Sequence, residues 1–140
     1  MSNDQLKELI LSFAPETAFD ESGEFLNAPI ESSLFRKLAE SLRQQGMDFL
    51  FCVTCVDWKT HLTMVYHLRS TSDHNTIVLK VNLDRTNPII ETVCDIWRTA
   101  EFHEREVFEM FGVQFNNHPD LRRLILEDDF KGYPLRKDFE

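Results

Sequence analysis

The residues of this 140-residue chain best placed to do chemistry are carboxylates on one predicted helix. Residues 97–111 have the sequence WRTAEFHEREVFEMF, and their apolar side chains recur at the spacing of a helix that packs against a core. Glu104 falls within this apolar face. Because a buried carboxylate costs several kcal/mol unless it is paired, we expect Glu104 to have a partner. The densest group of cations is C-terminal and consists of Arg122, Arg123, Arg136 and Lys137.

Two interpretations of Glu104 follow from this pattern. In the first, the C-terminal segment folds back and one of its arginines clamps Glu104. In the second, Glu104 lies at the margin of the apolar face and contacts water. The i, i+4 spacing of Glu101, Arg105 and Glu109 is typical of a solvated face whose charges pair with one another. An acid–base enzyme that uses Glu104, Glu106 and Glu109 is a third alternative, but no nucleophile or substrate-pocket motif accompanies these carboxylates.

The three cysteines do not have the spacing of a metal or redox centre. Cys52 and Cys55 form a C-x-x-C motif, which acts at helix starts in redox proteins and at turns in zinc sites. Here the motif lies inside a predicted strand, where side chains three residues apart point to opposite faces. Cys94 has no other cysteine near it in the sequence. Three scattered cysteines are too few for the roughly four ligands of an iron–sulfur cluster. We therefore predict that all of them are structural.

The five histidines are also poorly spaced for a metal site. His61 and His67 share a strand face, but the strand rise separates them by about 20 Å. His103 and Glu104 lack the second histidine of an H-E-x-x-H motif. The sequence contains neither a glycine-rich phosphate loop nor a nucleophile-elbow motif. We therefore predict that this chain has no metal, cofactor-binding or catalytic residues.

The formal net charge of −9 at pH 7 argues against several classes of partner. An acidic protein is repelled by the phosphates of nucleic acids and by anionic lipid surfaces. No signal-peptide pattern is present, and no apolar run approaches the roughly 20 residues of a membrane-spanning helix. We expect a reduced, soluble, cytoplasmic protein whose role at a membrane is peripheral.

Hydrophobic periodicity predicts the elements that position these residues. Helices are predicted over 3–13 and 31–45. Three strands follow over 47–57, 61–69 and 75–83, and the short turns between them make both pairs antiparallel. The first strand is apolar almost throughout, which is typical of a central strand buried on both faces. The other two strands alternate between apolar and polar residues.

The second half of the chain is predicted to contain less regular structure. A short helix capped by Thr92 is expected to end at Trp97, and a longer one to cover residues 100–111. We predict an α+β fold with a mostly antiparallel sheet, helices on one face and an extended C-terminal arm. Residues 1–112 would form the α+β domain, and residues 113–140 the arm, which carries enough apolar side chains to dock on partner subunits.

Four blocks in the C-terminal third carry a resemblance to a known family. In chain order they are Glu104-Arg105-Glu106, Glu109-Met110-Phe111-Gly112, His118-Pro119-Asp120-Leu121-Arg122-Arg123 and Gly132-Tyr133-Pro134-Leu135-Arg136-Lys137-Asp138. Their order and spacing resemble the signature of the C subunit of NADH:quinone oxidoreductase (complex I), in the form not fused to the D subunit. The preceding elements are compatible with the same family. Small departures are Phe102-His103 in place of a frequent Trp-Tyr, and Asn117 in place of a frequent Gly.

The resemblance implies a docking subunit of the peripheral arm of a proton-translocating NADH:quinone oxidoreductase. Such a subunit has no activity and no cofactor of its own, because the iron–sulfur clusters, FMN and quinone belong to partner subunits. It would contact subunits D, B and I on the cytoplasmic side of the bacterial inner membrane, and touch the membrane only through the complex. The implied interface residues are Glu104, Arg105, Glu106, His118, Asp120, Arg122, Arg123, Arg136, Lys137 and Asp138.

An alternative assignment shares the same module. The chain would then be the equivalent subunit of an energy-converting membrane hydrogenase or of a related quinone- or ferredoxin-linked complex. The sequence does not distinguish these electron donors, because the donor site would lie in other subunits.

Overall fold

The computed structural model describes residues 3–13, 15, 17, 19–20, 25–72 and 74–119 of the chain. In chain order the elements within these ranges are α1 (Asn3–Phe13), β1 (Leu26–Pro29), α2 (Ser32–Gln44), β2 (Phe49–Asp57), β3 (His61–Arg69), β4 (Thr76–Asp84), β5 (Ile89–Glu91), α3 (Ala100–Phe111) and β6 (Gln114–Asn116). The helices over 3–13, 31–45 and 100–111 are thus confirmed to within one residue at each end.

The main sheet has four strands in the order β1-β4-β3-β2. The pairs β2–β3 and β3–β4 are antiparallel, as the short connections predicted, whereas β1 pairs with β4 in parallel. The predicted α+β class with a mostly antiparallel sheet is therefore confirmed. The extended C-terminal arm falls mainly on residues outside the described ranges.

The core lies between the inner face of this sheet and the helices. Alternate residues of β3 and β4 point inward, and their side chains are almost completely buried: Leu62, Met64, Tyr66, Leu68, Ile77, Leu79, Val81 and Leu83. The ring of Phe35 on α2 packs on that of Tyr66, with centroids 4.4 Å apart. Each such burial contributes roughly 1.5–3 kcal/mol, so the alternation that predicted the strands also accounts for their packing.

Strand β2 differs from the prediction of a central strand buried on both faces. It lies at the edge of the sheet, and its Val56 and Phe49 are 36% and 40% exposed. The prediction was wrong because apolar character does not reveal whether a side chain faces a core or an outer surface. The two cysteines do point to opposite faces, since Cys55 is paired with the buried Met64 and Cys52 with the outward-facing His67.

The region around residue 92 forms a strand and a turn where a short helix was predicted. Strand β5 ends at Glu91, and a turn follows in which the Trp97 amide donates to the Val93 carbonyl at 2.9 Å. The Thr92 hydroxyl does accept a hydrogen bond from the Cys94 amide at 3.2 Å, as a capping residue would. The Val93 amide donates to the Glu104 carboxylate, which ties this turn to α3.

Strand β6 was also not predicted, because a three-residue strand is too short to show periodicity. It pairs in parallel with β5 and begins within the segment assigned to the arm. Helix α3 ends as predicted at Gly112, whose φ of 80° suits glycine. None of the helices in the described ranges combines the length and the apolar character that crossing a membrane requires.

Replacing Arg85 with Met should lower the free energy of unfolding by about 3 kcal/mol. The guanidinium of Arg85 forms an ion pair and hydrogen bond with the Asp57 carboxylate, whose side chain is 2% exposed. The variant leaves this carboxylate buried without its cation, although the Lys59 amide still donates to it at 2.8 Å. Urea unfolding of the isolated chain measures the loss.

A matched control is Glu40→Gln, which removes an i, i+4 pair between Glu40 and Arg36 whose side chains are 49% and 29% exposed. Such exposed pairs contribute about 0.3–0.5 kcal/mol, so this variant should be close to the wild type. Equal losses in the two variants would contradict the role assigned to Arg85.

Candidate functional site

The candidate site is built on helix α3, which packs against β2 on one side and β6 on another. Three charged residues of this helix are buried, and the sequence pattern placed two of them, Arg105 and Glu109, in solvent. Glu104 and Glu109 are fully buried, and Arg105 is 6% exposed. The predicted solvated face of Glu101, Arg105 and Glu109 is therefore wrong. A pattern of charges on a helix does not show whether other segments of the folded chain cover that face.

Glu104 is held by hydrogen bonds from the turn after β5. The Thr92 hydroxyl donates to its Oε1, and the Val93 amide donates to its Oε2 at 3.0 Å. With an exposed fraction of 0%, Glu104 does not contact water, which rules out its position at the margin of the apolar face. The predicted clamp by an arginine of the arm falls on residues outside the described ranges and stays a prediction.

Burial changes the chemistry of Glu104. Loss of hydration raises its pKa from 4.5 to about 7, against the opposing effect of the hydrogen bonds from Thr92 and Val93. The charge of Asp95 adds a further increase, and that of Arg36 lowers the pKa. The protonated and ionised forms of Glu104 are therefore close in free energy near neutral pH.

His118 completes one side of the site. Its side chain is fully buried, and its Nε2 lies 3.1 Å from the Glu101 carbonyl oxygen and 3.8 Å from Oε1 of Glu104. Two of the four signature blocks, one on α3 and one after β6, thus meet in the interior. Residue spacing did not predict this contact, because it depends on the return of the chain through β6.

Cys94 is the third member of the cluster. One potential ligand atom from each of Cys94, Glu104 and His118 lies within 4.8 Å of the other two. Cys94 was predicted to be structural, and no spacing in the sequence linked it to a histidine. The three residues come from separate segments, so only the folded chain brings them together. The absence of a metal site stays a prediction.

Arg36 fixes the position of the turn that contacts Glu104. Its guanidinium forms two hydrogen bonds with the Asp95 carboxylate, at 2.8 and 2.6 Å, and a third with the Thr92 carbonyl at 2.8 Å. The hydrogen bonds from Arg36 lower the pKa of Asp95. This contact joins α2 to the site, and no motif in the sequence pointed to it.

The remaining predicted interface residues lie in different surroundings. Glu106 is exposed on α3, and its charge adds to the effect of burial in raising the pKa of the Cys52 thiol. Arg105 is buried, with its guanidinium 5.7 Å from the centroid of the Phe102 ring. Asp120, Arg122, Arg123, Arg136, Lys137 and Asp138 lie outside the described residues.

The chain itself encloses Glu104. Both oxygens of Glu104 accept hydrogen bonds from the chain itself, and no solvent reaches the residue in the described part of the molecule. An acid–base catalyst must lie within hydrogen-bond reach of its substrate, directly or through a water. The contacts of Glu104 are therefore more typical of a residue that holds segments of the chain together than of an acid–base catalyst.

The same fold occurs in two solved structures. A trypsin-resistant fragment of Nqo5 matches with a TM-score of 0.75 and 27% identity, over 84% of this chain and 97% of that chain. A chain of the membrane-bound sulfane sulfur reductase, an archaeal respiratory membrane complex, matches with a TM-score of 0.83 and 27% identity, over 98% of this chain and 85% of that chain. The fold thus defines a class of α+β proteins that includes the Nqo5 fragment and a chain of an archaeal respiratory membrane complex.

Sequence comparison narrows this class to one family. The family model described as "Respiratory-chain NADH dehydrogenase, 30 Kd subunit" matches residues 28–140. The chain belongs to this family, which confirms the resemblance carried by the four signature blocks. The NADH-quinone oxidoreductase C subunit of Moorella thermoacetica is 43% identical over 108 residues, which are 76% of this chain and 73% of that protein.

Some relatives are much longer. The NADH-quinone oxidoreductase C/D subunit of Phocaeicola vulgatus is 48% identical over 102 residues, which are 71% of this chain but 20% of that protein. This chain therefore spans about a fifth of the length of that relative. The family thus includes proteins in which the matching segment is part of a longer chain.

Proposed function

We propose that this chain is a docking subunit of a proton-translocating NADH:quinone oxidoreductase and binds none of the redox cofactors of that complex. It would hold the iron–sulfur and quinone-site subunits D, B and I in a fixed arrangement. The observation that carries the proposal is membership of this family. The contacts of two signature residues support it. Glu104 and His118 join segments of the chain to one another, which suits a scaffold better than a reaction site.

The position of His118 supports a docking role for the segment that follows it. Its buried ring holds this part of the chain against the Glu101 carbonyl. Residues 121–140, which follow in the sequence, contain the cationic part of the signature. Charged groups across an interface give it register and specificity more than raw affinity.

A second surface supports contact with partners. The side chains of Val56 and Trp58 are 36% and 55% exposed and line one groove on the outer face of the sheet, and we call this pair the β2 apolar surface. Exposed apolar side chains that cluster on one surface commonly mark interaction sites. We propose that another protein of the complex covers this surface, on the cytoplasmic side of the bacterial inner membrane, and that the chain meets the membrane only through the complex.

The experiment is purification of the tagged chain from detergent-solubilised membranes, with identification of the bound proteins by mass spectrometry. Recovery of iron–sulfur subunits together with a hydrogenase-like large subunit is expected. An NADH-binding flavin subunit among them would support the proposed donor. Recovery of the chain without partners would contradict the docking function.

A charge on the β2 apolar surface should disrupt assembly. Trp58→Glu is expected to lower recovery of the partner subunits roughly tenfold or more, because an unpaired carboxylate would be buried in the interface. Trp58→Phe keeps an apolar ring at the same position and is the matched control, which should retain wild-type recovery. Normal recovery with Trp58→Glu would show that this surface is not an interface.

A related complex with a different electron donor is the second candidate function. The observation in its favour is the TM-score of 0.83 to a chain of the membrane-bound sulfane sulfur reductase. In that case the purified assembly would contain an iron–sulfur subunit and a large subunit but no NADH-binding flavin subunit. The same purification thus separates the two candidates.

A further inference from the structure

We propose that Cys94, Glu104 and His118 form a binding site for a divalent metal ion of the zinc type. The three side chains come from the turn after β5, from the middle of α3 and from the segment after β6. Their potential ligand atoms lie within 4.8 Å of one another, and two of the three residues, Glu104 and His118, have fully buried side chains.

The donor set has the chemistry that zinc prefers. A thiolate sulfur, an imidazole nitrogen and a carboxylate oxygen are the three kinds of protein ligand found in zinc sites. Bond lengths of about 2.0–2.3 Å place the ligand atoms of a tetrahedral site roughly 3.5 Å apart. The Glu104 and His118 atoms, 3.8 Å apart, are already close to this separation, and the Cys94 sulfur would move by no more than about 1 Å. The fourth position would be open to water or to a ligand from outside the cluster.

Neighbouring groups already orient the carboxylate. The Thr92 hydroxyl donates to one oxygen of Glu104, and the Val93 amide donates to the other at 3.0 Å. Metal-binding carboxylates in proteins are characteristically held by such hydrogen bonds, which set the direction of the remaining lone pairs. Since each oxygen keeps a further lone pair, Glu104 can bind an ion without losing either bond.

The histidine is similarly constrained. His118 has its Nε2 within 3.1 Å of the Glu101 carbonyl and 3.8 Å of the Glu104 carboxylate, so this nitrogen faces the cluster. Nε2 carries the proton in its contact with the Glu101 carbonyl, because a carbonyl only accepts hydrogen bonds. An ion bound through Nε2 would replace this contact and leave the ring proton on Nδ1. Binding would also transfer the thiol proton of Cys94 to solvent, because the thiolate is the form that ligates metals.

An occupied site would tie together three segments of the chain. The turn at Cys94, helix α3 and the segment after β6 would share one ion. An ion that binds the folded chain in preference to the unfolded chain raises the unfolding temperature. This inference concerns the isolated chain and is independent of the proposed docking function.

The test uses the full 140-residue chain, purified with a chelator and then freed of it. Zn²⁺ and Co²⁺ are the probes. We expect binding of about one equivalent of Zn²⁺, a rise in the unfolding temperature with Zn²⁺, and the charge-transfer absorption of a cobalt–thiolate bond with Co²⁺. Cys94→Ser should abolish this absorption. It should also weaken Zn²⁺ binding by about 10- to 100-fold or more, because the loss of a group that only orients a ligand already has an effect of that size.

Two matched controls make the test specific to this cluster. Cys52→Ser removes a partly buried free cysteine on β2, and His103→Gln removes a histidine of α3 outside the cluster. Both should retain wild-type binding, whereas His118→Gln should lose it. If His118→Gln fails to fold, Cys94→Ser, at a partly exposed position, still decides the question. Binding that survives Cys94→Ser, or that Cys52→Ser weakens equally, would overturn the proposal, as would the absence of stoichiometric binding.

Discussion

Replacing Trp97 with Ala is expected to lower the free energy of unfolding of the isolated chain by about 3–5 kcal/mol. The indole is 3% exposed, and its Nε1 donates a hydrogen bond to the Met47 carbonyl at 2.9 Å. The variant removes a large aromatic side chain from the core and takes the donor away from a buried carbonyl. Urea unfolding followed by circular dichroism measures the loss.

The second tryptophan of the chain provides the control for this prediction. Trp58 is 55% exposed, so Trp58→Ala should change the free energy of unfolding by no more than about 0.5 kcal/mol. Trp97→Phe keeps most of the ring packing but not the N–H donor, and should fall between the two alanine variants. Similar losses in Trp97→Ala and Trp58→Ala would refute the assignment of Trp97 to the core.

The substitution Glu104→Gln should remove a pH dependence of about 3 kcal/mol from the stability of the chain. Burial raises the pKa of Glu104 from 4.5 to about 7, so the folded chain binds the proton more tightly than the unfolded chain. The resulting stabilisation is fully present below pH 4.5 and is lost as the pH rises through about 7. Glutamine resembles protonated glutamate in shape and can bond to both Thr92 and Val93, so the variant should lack this loss.

The free energy of unfolding of wild type and Glu104→Gln is compared in urea at a series of pH values from 4 to 8 or so. A chelator is present throughout, so that no bound ion contributes. The wild type should lose stability relative to the variant as the pH rises through this range. The control is Glu106→Gln, which changes an exposed carboxylate on the same helix and should follow the wild type. If the difference in free energy of unfolding between wild type and Glu104→Gln stayed constant with pH, or if the wild type gained stability relative to the variant as the pH rose, the raised pKa of Glu104 would be ruled out.

Local elements of the fold were predictable because they depend on neighbours in the sequence. The alternation in β3 and β4 and the helical stripe of α2 reflect which side chains must be buried in an amphipathic element. The end of α3 at Gly112 reflects the ease with which glycine adopts a positive φ. The family could also be identified from the sequence, because the four signature blocks occur in the order found in that family.

Other features depend on packing between segments that are distant in sequence. The position of β2 at the sheet edge is set by the order of the strands, and an apolar edge strand resembles a buried central one in composition alone. The burial of Arg105 and Glu109 depends on how the rest of the folded chain packs on α3, which the periodicity of the helix does not show. A charged stripe on a helix therefore does not by itself distinguish a solvated face from a covered one.

Residue types at short separations in the sequence were enough to identify the family and the amphipathic elements, and to show that Glu104 needs a partner. The identity of those partners depends on the folded chain. Thr92, Val93 and His118 reach Glu104 because β5 and β6 pair in parallel beside α3. The convergence of Cys94, Glu104 and His118 has the same cause, since the path of the folded chain sets the distances between side chains from separate segments.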